Sequence, residues 1–404
     1  MLLSLGLIFT IGLVLGEIFG KVKLPRFVGM IVTGILLGPF VFNLISVEIL
    51  NVSTELRTIA LVVILLRAGL SLDVSDLKQI GRPAILMSFI PATLEIIAVV
   101  IFAPMLFGIS YLEAAILGSV LSAVSPAVVV PKMIKLMSEK YGYKKRIPHL
   151  VMAGASVDDI YVIVLFTSFL AMYKTGNTSL GSILLVPVAI VTGIIAGMII
   201  GYLLSVFFAK FKVRDTIKVL VILAASFFVL AFEEWINVYV PMSALLSVMV
   251  IGITFLNQSE ERALRLRDKF DKVWVFAELV LFVLVGAAVD ISVALNAGLL
   301  ALALLAIELI FRFTGVQLCL IKTNLNKKER LFTGISYLPK ATVQAAIGAI
   351  PLAAGVESGE LILALAVLAI IITGPLGAIG IDLTYKKFLQ LDEEHKETNP
   401  NLIE

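Results

Sequence analysis

The stretch IPHLVMAGASVDDIYVIVLFTSFLAMY, from Ile147 to Tyr173, is long and apolar enough to cross a bilayer, yet it holds Asp158 and Asp159 side by side near its middle. At about 1.5 Å of helical rise per residue, Asp158 lies roughly 16 Å into the segment, near the centre of a hydrocarbon core about 30 Å thick. Carboxylates at that depth are costly, and neighbours of like charge repel. A membrane helix that keeps such a pair is built to hold something positive.

Working outward, the composition supports a membrane setting. The chain has 404 residues, 60% hydrophobic and 15% charged, with mean hydropathy +1.07; soluble domains carry about 25% charged residues. One cysteine, Cys319, excludes an internal disulfide and a cysteine-based metal cluster. The two histidines, His149 and His395, sit beside charged or polar segments, so histidine proton relays are not expected. No phosphate-binding glycine loop or nucleotide domain is evident, and the polar tail after Leu383 is short. An enzyme, a cofactor protein and a nucleotide- or nucleic-acid-binding protein are therefore not expected. The first segment lacks a basic n-region and a small-residue cleavage site, and reads as a retained helix.

Polar breaks divide the chain into thirteen apolar segments, residues 1–20, 24–45, 57–72, 83–107, 112–135, 147–173, 180–209, 215–233, 241–257, 272–291, 295–321, 329–353 and 359–383. The 32 basic residues then set an orientation. Nearly all of those outside the segments, including Lys78, Lys212 and Lys396, follow odd-numbered segments; only Arg57 and Lys174 follow even-numbered ones. By the positive-inside rule this predicts an outside N-terminus, a cytoplasmic C-terminus and an odd number of crossings. Arg67, Arg312 and Lys340 remain inside segments, with the acids Glu95, Asp158, Asp159, Glu278 and Glu308. By the same rise, Glu95 lies roughly 18 Å into segment four, Lys340 roughly 16 Å into segment twelve, and Arg312 roughly 14 Å from the cytoplasmic end of segment eleven. These groups converge on the midplane, where secondary transporters place their sites.

Two segments carry helix breakers at that depth. Pro126 in segment five is expected to kink or unwind its helix, and Pro339 directly before Lys340 does the same in segment twelve, with Gly348 beyond. Unwound backbone inside a membrane is tolerated only within protein or beside a cavity, and two crossed half-helices offer dipole ends to an ion. The breaks are seven segments apart, as are Glu95 and Arg312. An odd offset inverts the direction of equivalent helices, which predicts an inverted repeat of segments one to six and eight to thirteen, linked by segment seven. Glu308, four residues before Arg312, is a rival partner for that arginine. Ser125 is a candidate ligand that equally well bonds its own backbone. The glycine rows Gly12, Gly16, Gly20 and Gly193, Gly197, Gly201 suit close helix packing, either in a dimer or within the chain.

Five motifs together carry a resemblance that spans nearly the whole chain. They are Leu24-Pro-Arg-Phe-Val-Gly-Met-Ile-Val-Thr-Gly-Ile-Leu-Leu-Gly-Pro39, Leu66-Arg-Ala-Gly-Leu70, Val124-Ser-Pro-Ala-Val-Val-Val-Pro131, Gly154-Ala-Ser-Val-Asp-Asp-Ile160 and Leu338-Pro-Lys-Ala-Thr-Val-Gln-Ala-Ala-Ile-Gly348. The pattern resembles the monovalent cation:proton antiporter superfamily in its dual-aspartate branch, most closely the sodium/hydrogen exchanger B subfamily and its bacterial relatives. The resemblance implies an all-α membrane protein, a dimerisation domain over 1–82 and 215–291, and a moving core over 83–173 and 295–383. A linker helix over 174–214 and a short tail, 384–404, complete it, and a homodimer in a cell membrane is implied. It maps the ion carboxylate onto Asp159 and its neighbour onto Asp158, paired with Lys340, and makes Glu95 and Arg312 a structural ion pair. Where many such antiporters carry an acid before the proline of segment five, this chain has Ser125.

The chemistry of the residues agrees with that reading. Two buried neighbouring carboxylates titrate as one coupled unit. Deprotonated, they attract a hard cation, sodium or lithium, which Asp159, Asp158, the Ser125 or Ser156 hydroxyl, freed carbonyls and water can hold. Proton and cation then compete for the same oxygens, which is sufficient for exchange by alternating access. A sodium-coupled solute symporter on the same frame, a potassium/proton antiporter and a membrane sensor module are the alternatives; the symporter requires a larger polar cavity and the sensor an appended domain.

Overall fold

In the computed structural model residues 1–71, 81–176, 180–211, 213–236 and 239–392 are described, and among them every regular element is a helix; one antiparallel bridge joins Tyr141 to Leu391. Lys78, Lys212, His395 and Lys396 lie outside the described residues. The helices are α1 (Leu2–Lys21), α2 (Arg26–Leu37), α3 (Val47–Asn51), α4 (Ser53–Gly69), α5 (Arg82–Met87), α6 (Ile90–Phe107), α7 (Tyr111–Leu121), α8 (Pro126–Ser138) and α9 (Ile147–Thr175). There follow α10 (Leu180–Lys210), α11 (Asp215–Ile236), α12 (Ala244–Gln258), α13 (Glu260–Ala287), α14 (Ile291–Cys319), α15 (Lys327–Ser336), α16 (Thr342–Ile347), α17 (Ile350–Ala353) and α18 (Gly359–Phe388).

Among the described residues eight helices or near-continuous helix pairs are long and apolar enough to cross a membrane, and Arg26–Leu37, Ala244–Gln258 and Thr342–Ala353 are shorter apolar helices. The apolar segment read from residue 272 belongs to a longer helix, α13, that already begins at Glu260. Its charged first half consists of good helix formers and carries the i,i+4 pair Arg265–Glu261 at 2.6 Å. In α14 the backbone leaves helical geometry at Gly298, φ 45° and ψ −126°, a left-handed conformation open to glycine because it has no Cβ.

Burial sorts the helices by role. The stretch Tyr111–Ser138 is 78% buried, against 22% for Leu2–Lys21 and for Pro187–Lys210. The helices that carry the breaks are therefore at the centre, and apolar side chains face outward from the periphery. One packing group joins α1, α2, α4, α12 and α13, with α10 on α12; a second joins α5 to α9 with α14, α15 and α18. In the first, Gly34 of α2 lies against the Val283 carbonyl and Gly286 of α13 against the Ile31 carbonyl, so the two backbones touch. Both glycine rows noted in the sequence have neighbours inside the chain. Gly12 meets Leu279, Gly193 meets Ser243 just before α12, and Gly197 and Gly201 meet Ser247 and Thr254 within it.

Candidate functional site: an ion-pair cluster between two broken helices

The first break is held open from both ends. Ser110 and Glu113 form a capping box that starts α7, which ends at Leu121; Ser122 to Ser125 are non-helical, and Pro126 occupies the first turn of α8. The unwound stretch thus precedes Pro126, because proline cannot continue a helix but readily begins one, having no N–H to leave unbonded. The second break is built the same way. Asn326 and Glu329 cap the start of α15, which ends at Ser336; Tyr337 to Ala341, with Pro339 and Lys340 among them, are non-helical before α16.

The two breaks touch each other. Ser125 N–H donates to the Pro339 carbonyl at 2.8 Å, and the Ser125 and Thr342 hydroxyls are 3.4 Å apart. Gln344 donates to the carbonyls of Leu121 (3.1 Å) and Ala123 (2.7 Å), while its Oε1 accepts from Ala341 N–H at 2.9 Å. Buried backbone groups freed by unwinding must find partners, and here the opposite break supplies several of them, through the Pro339 carbonyl and the Gln344 side chain.

A cluster of fully buried charges surrounds this crossing. Arg312 of α14 is its hub: Nε donates to the Tyr337 carbonyl at 2.6 Å, Nη1 to Glu95 at 2.6 Å and to the Ser122 carbonyl, and Nη2 to Asp158 at 2.8 Å. One guanidinium fork therefore ties both breaks to α6 and α9, a geometry that an ammonium cannot reproduce. Lys340 Nζ bonds Glu95 Oε1 and the Leu121 carbonyl, and lies 3.5 Å from Glu308 Oε1. Glu95 is thus shared between Arg312 and Lys340.

These contacts revise the pairing expected for Lys340 and keep the one expected for Arg312. Lys340 meets Glu95 and Glu308 instead of Asp158, because its ammonium leaves the second break on the side of Leu121; Asp158 instead accepts from Arg312 and from Val124 N–H at 2.9 Å. Arg312 bonds Glu95 across the helix interface and makes no ion pair with Glu308 among the described residues, although Glu308 is one turn away on the same helix.

The aspartates differ in what surrounds them. Asp158 Oδ1 and Asp159 Oδ1 are buried without a hydrogen-bond partner among the described residues. Asp159 retains 7% exposure where Asp158, Glu95, Glu308, Arg312 and Lys340 have none, so it is the group nearest to solvent. Ser125 is buried in the break beside them. Ser156 is half-buried on α9, and its hydroxyl donates to the Met152 carbonyl of its own helix at 2.9 Å. Arg67, apart from the cluster, pairs with Asp271 of α13.

Several participants carry weak signals in the sequence. Val124 contributes only its N–H, Thr373 accepts from Lys340 N–H at 3.0 Å, and the Arg312 guanidinium lies 5.5 Å from the centre of the Tyr337 ring. Gln344 was legible in principle: a polar amide inside an apolar segment, four residues beyond a midplane lysine.

Comparison with known proteins agrees with this architecture. A family model described as "Sodium/hydrogen exchanger, transmembrane" matches residues 6–387. The chain belongs to the transmembrane sodium/hydrogen exchanger family. It is 34% identical to Sodium/hydrogen exchanger 9B2 of Mus musculus over 95% of this chain and 73% of that protein, and 30% identical to Sodium/hydrogen exchanger 9B1 of Homo sapiens over 96% and 78%. In fold it is similar to the sodium proton antiporter MjNhaP1 from Methanocaldococcus jannaschii, with a TM-score of 0.79 at 18% identity, covering 96% of this chain and 98% of that one. This exchanger-family chain is a multi-pass membrane protein, and the relatives it matches are sodium/hydrogen exchangers, which are transporters.

Proposed function

We propose that this chain is a sodium (or lithium)/proton antiporter in which one proton-binding group, Asp159, gives up its proton to admit a cation. The observation that carries the reading is the pair of donor-free carboxylate oxygens, Asp158 Oδ1 and Asp159 Oδ1, beside two helix breaks in a chain of this family. Asp158 already accepts two hydrogen bonds on its other oxygen, one from Arg312, so it serves as a fixed counter-charge. Asp159 is the more exposed partner and the one that trades proton for cation. The Ser125 and Ser156 hydroxyls complete the cation's shell as neutral oxygens, Ser156 retaining lone pairs beyond its own bond. Lys340 modulates transport by holding Glu95 and the end of α7, and the Glu95–Arg312 pair keeps the crossing assembled.

Transport then proceeds by alternating access. The chain crosses the membrane thirteen times, with the N-terminus outside and the C-terminus in the cytoplasm, as an inverted repeat linked by α10. Residues 1–82 and 215–291 form a scaffold that dimerises in the cell membrane, and 83–173 with 295–383 form the core that moves. The two packing groups of helices support this division.

Proteoliposomes carrying a pH dye test the reading. Sodium added outside is expected to drive protons across the membrane in wild type, lithium to replace it, and potassium to be a poor substitute. Asp159→Asn abolishes the signal while the purified protein keeps its thermal midpoint. Full exchange by that variant refutes the assignment.

A further inference from the structure

Glu308 lies outside the pair just described, at 0% exposure on α14. Neither of its carboxyl oxygens has a hydrogen-bond partner among the described residues, although Lys340 Nζ is 3.5 Å from Oε1. A buried carboxylate left without donors is heavily penalised, whereas the neutral acid costs far less. The buried cluster contains four acids, Glu95, Asp158, Asp159 and Glu308, against two bases, Arg312 and Lys340. Glu95 is bonded by both bases and Asp158 by one, so the imbalance falls on Asp159 and Glu308.

Lys340 stands between two carboxyls. Its ammonium now bonds Glu95 and covers the Leu121 carbonyl, at the electronegative end of α7, with Glu308 within reach on its other side. The charged groups facing Glu308 are Lys340 from the second break, Glu95 from α6, and Arg312 one turn along its own helix, with Asp158 beyond Arg312. From α18 the stretch Ile362 to Thr373 contributes no titratable side chain.

We propose that Glu308 is a second proton-binding carboxyl of the antiporter, and that its ionisation draws Lys340 away from Glu95 and the Leu121 carbonyl, uncovering the end of the first broken helix. The proton leaves to water on the open side, and the Lys340–Glu308 pair keeps its net charge at zero once formed. This rests on the antiport reading above and adds a pH-responsive group to it. At low pH the neutral Glu308 leaves Lys340 locked on the break; at higher pH the ionised Glu308 unlocks it, and exchange accelerates.

Two measurements on the full-length protein decide the matter. In proteoliposomes, Glu308→Gln is expected to keep Lys340 locked, so that the rise of exchange with pH shrinks to the part set by Asp159. Glu308→Asp, which still titrates, keeps a rise at a displaced midpoint, and in a Lys340→Met background the Glu308→Gln substitution no longer alters the profile. In purified protein, infrared difference spectra are expected to show a protonated-carboxyl band that Glu308→Gln removes, a readout independent of transport. A pH profile for Glu308→Gln that superimposes on wild type, or a carboxyl band unchanged by that substitution, overturns the proposal. If wild type moves no protons in response to cations, the antiport reading fails instead, and the infrared band still decides the protonation of Glu308.

Discussion

Replacing Arg312 by methionine is the perturbation on which the architecture bears most heavily. The guanidinium makes four hydrogen bonds, to Glu95, Asp158 and the Ser122 and Tyr337 carbonyls, all in the buried cluster. Methionine matches its bulk approximately but donates nothing. Glu95 keeps Lys340 as partner, so the main loss is at Asp158 and at the two carbonyls of the breaks. Removing one member of a buried ion pair costs about 3–5 kcal/mol, because a buried charge is left uncompensated. At about 2.1 cal/mol/K of unfolding entropy per residue, a chain of this length loses about 4–6 °C of thermal midpoint for that cost. Thermal denaturation of the detergent-purified protein, followed by tryptophan fluorescence and by size-exclusion recovery, measures the shift. Arg312→Lys is expected to fall between, retaining the charge without the planar fork. The double variant Glu95→Gln with Arg312→Met should destabilise by less than the sum of its singles, since the two share one network. A midpoint for Arg312→Met within about 1 °C of wild type would show that the breaks are held by something else.

Two further outcomes test the packing around the site. Gly34→Ala places a methyl group against the Val283 carbonyl of α13 and is expected to destabilise by about 1–3 kcal/mol through overpacking, whereas Gly6→Ala, with open space around it, leaves the midpoint unchanged; equal midpoints for the two variants count against the contact. Leu389, buried at 5% exposure where the chain after α18 meets the loop following α8, is held there by a Gly142 N–H bond to the Gln390 carbonyl at 2.8 Å. Leu389→Ala is expected to cost about 2–5 kcal/mol and to raise protease cleavage between Glu139 and Arg146; an unaltered cleavage rate contradicts this.

Much of the arrangement was legible in the amino-acid sequence because a membrane narrows the choices. Midplane charges are too costly to be incidental, so Glu95, Asp158, Asp159, Arg312 and Lys340 stood out against a 60% hydrophobic chain. Proline removes a backbone donor wherever it sits, so Pro126 and Pro339 marked two interruptions, and the structure has non-helical backbone at 122–125 and 337–341. What the linear order did not contain was the direction in which long side chains reach. Lys340 and Arg312 each had several acids at comparable depth, and the partition of those acids between them depends on how α6, α9 and α14 pack around the crossing. Helical spacing alone favoured Glu308 for Arg312, yet a guanidinium satisfied by two carboxylates and two carbonyls gains more across the interface than along its own helix. The sequence by itself determined that this chain is a bundle of membrane helices with paired acids and broken helices at mid-depth, since hydropathy and backbone chemistry are local properties. Only the tertiary structure decided which charge neutralises which, because ion pairing follows distances of a few ångströms between residues up to 245 positions apart.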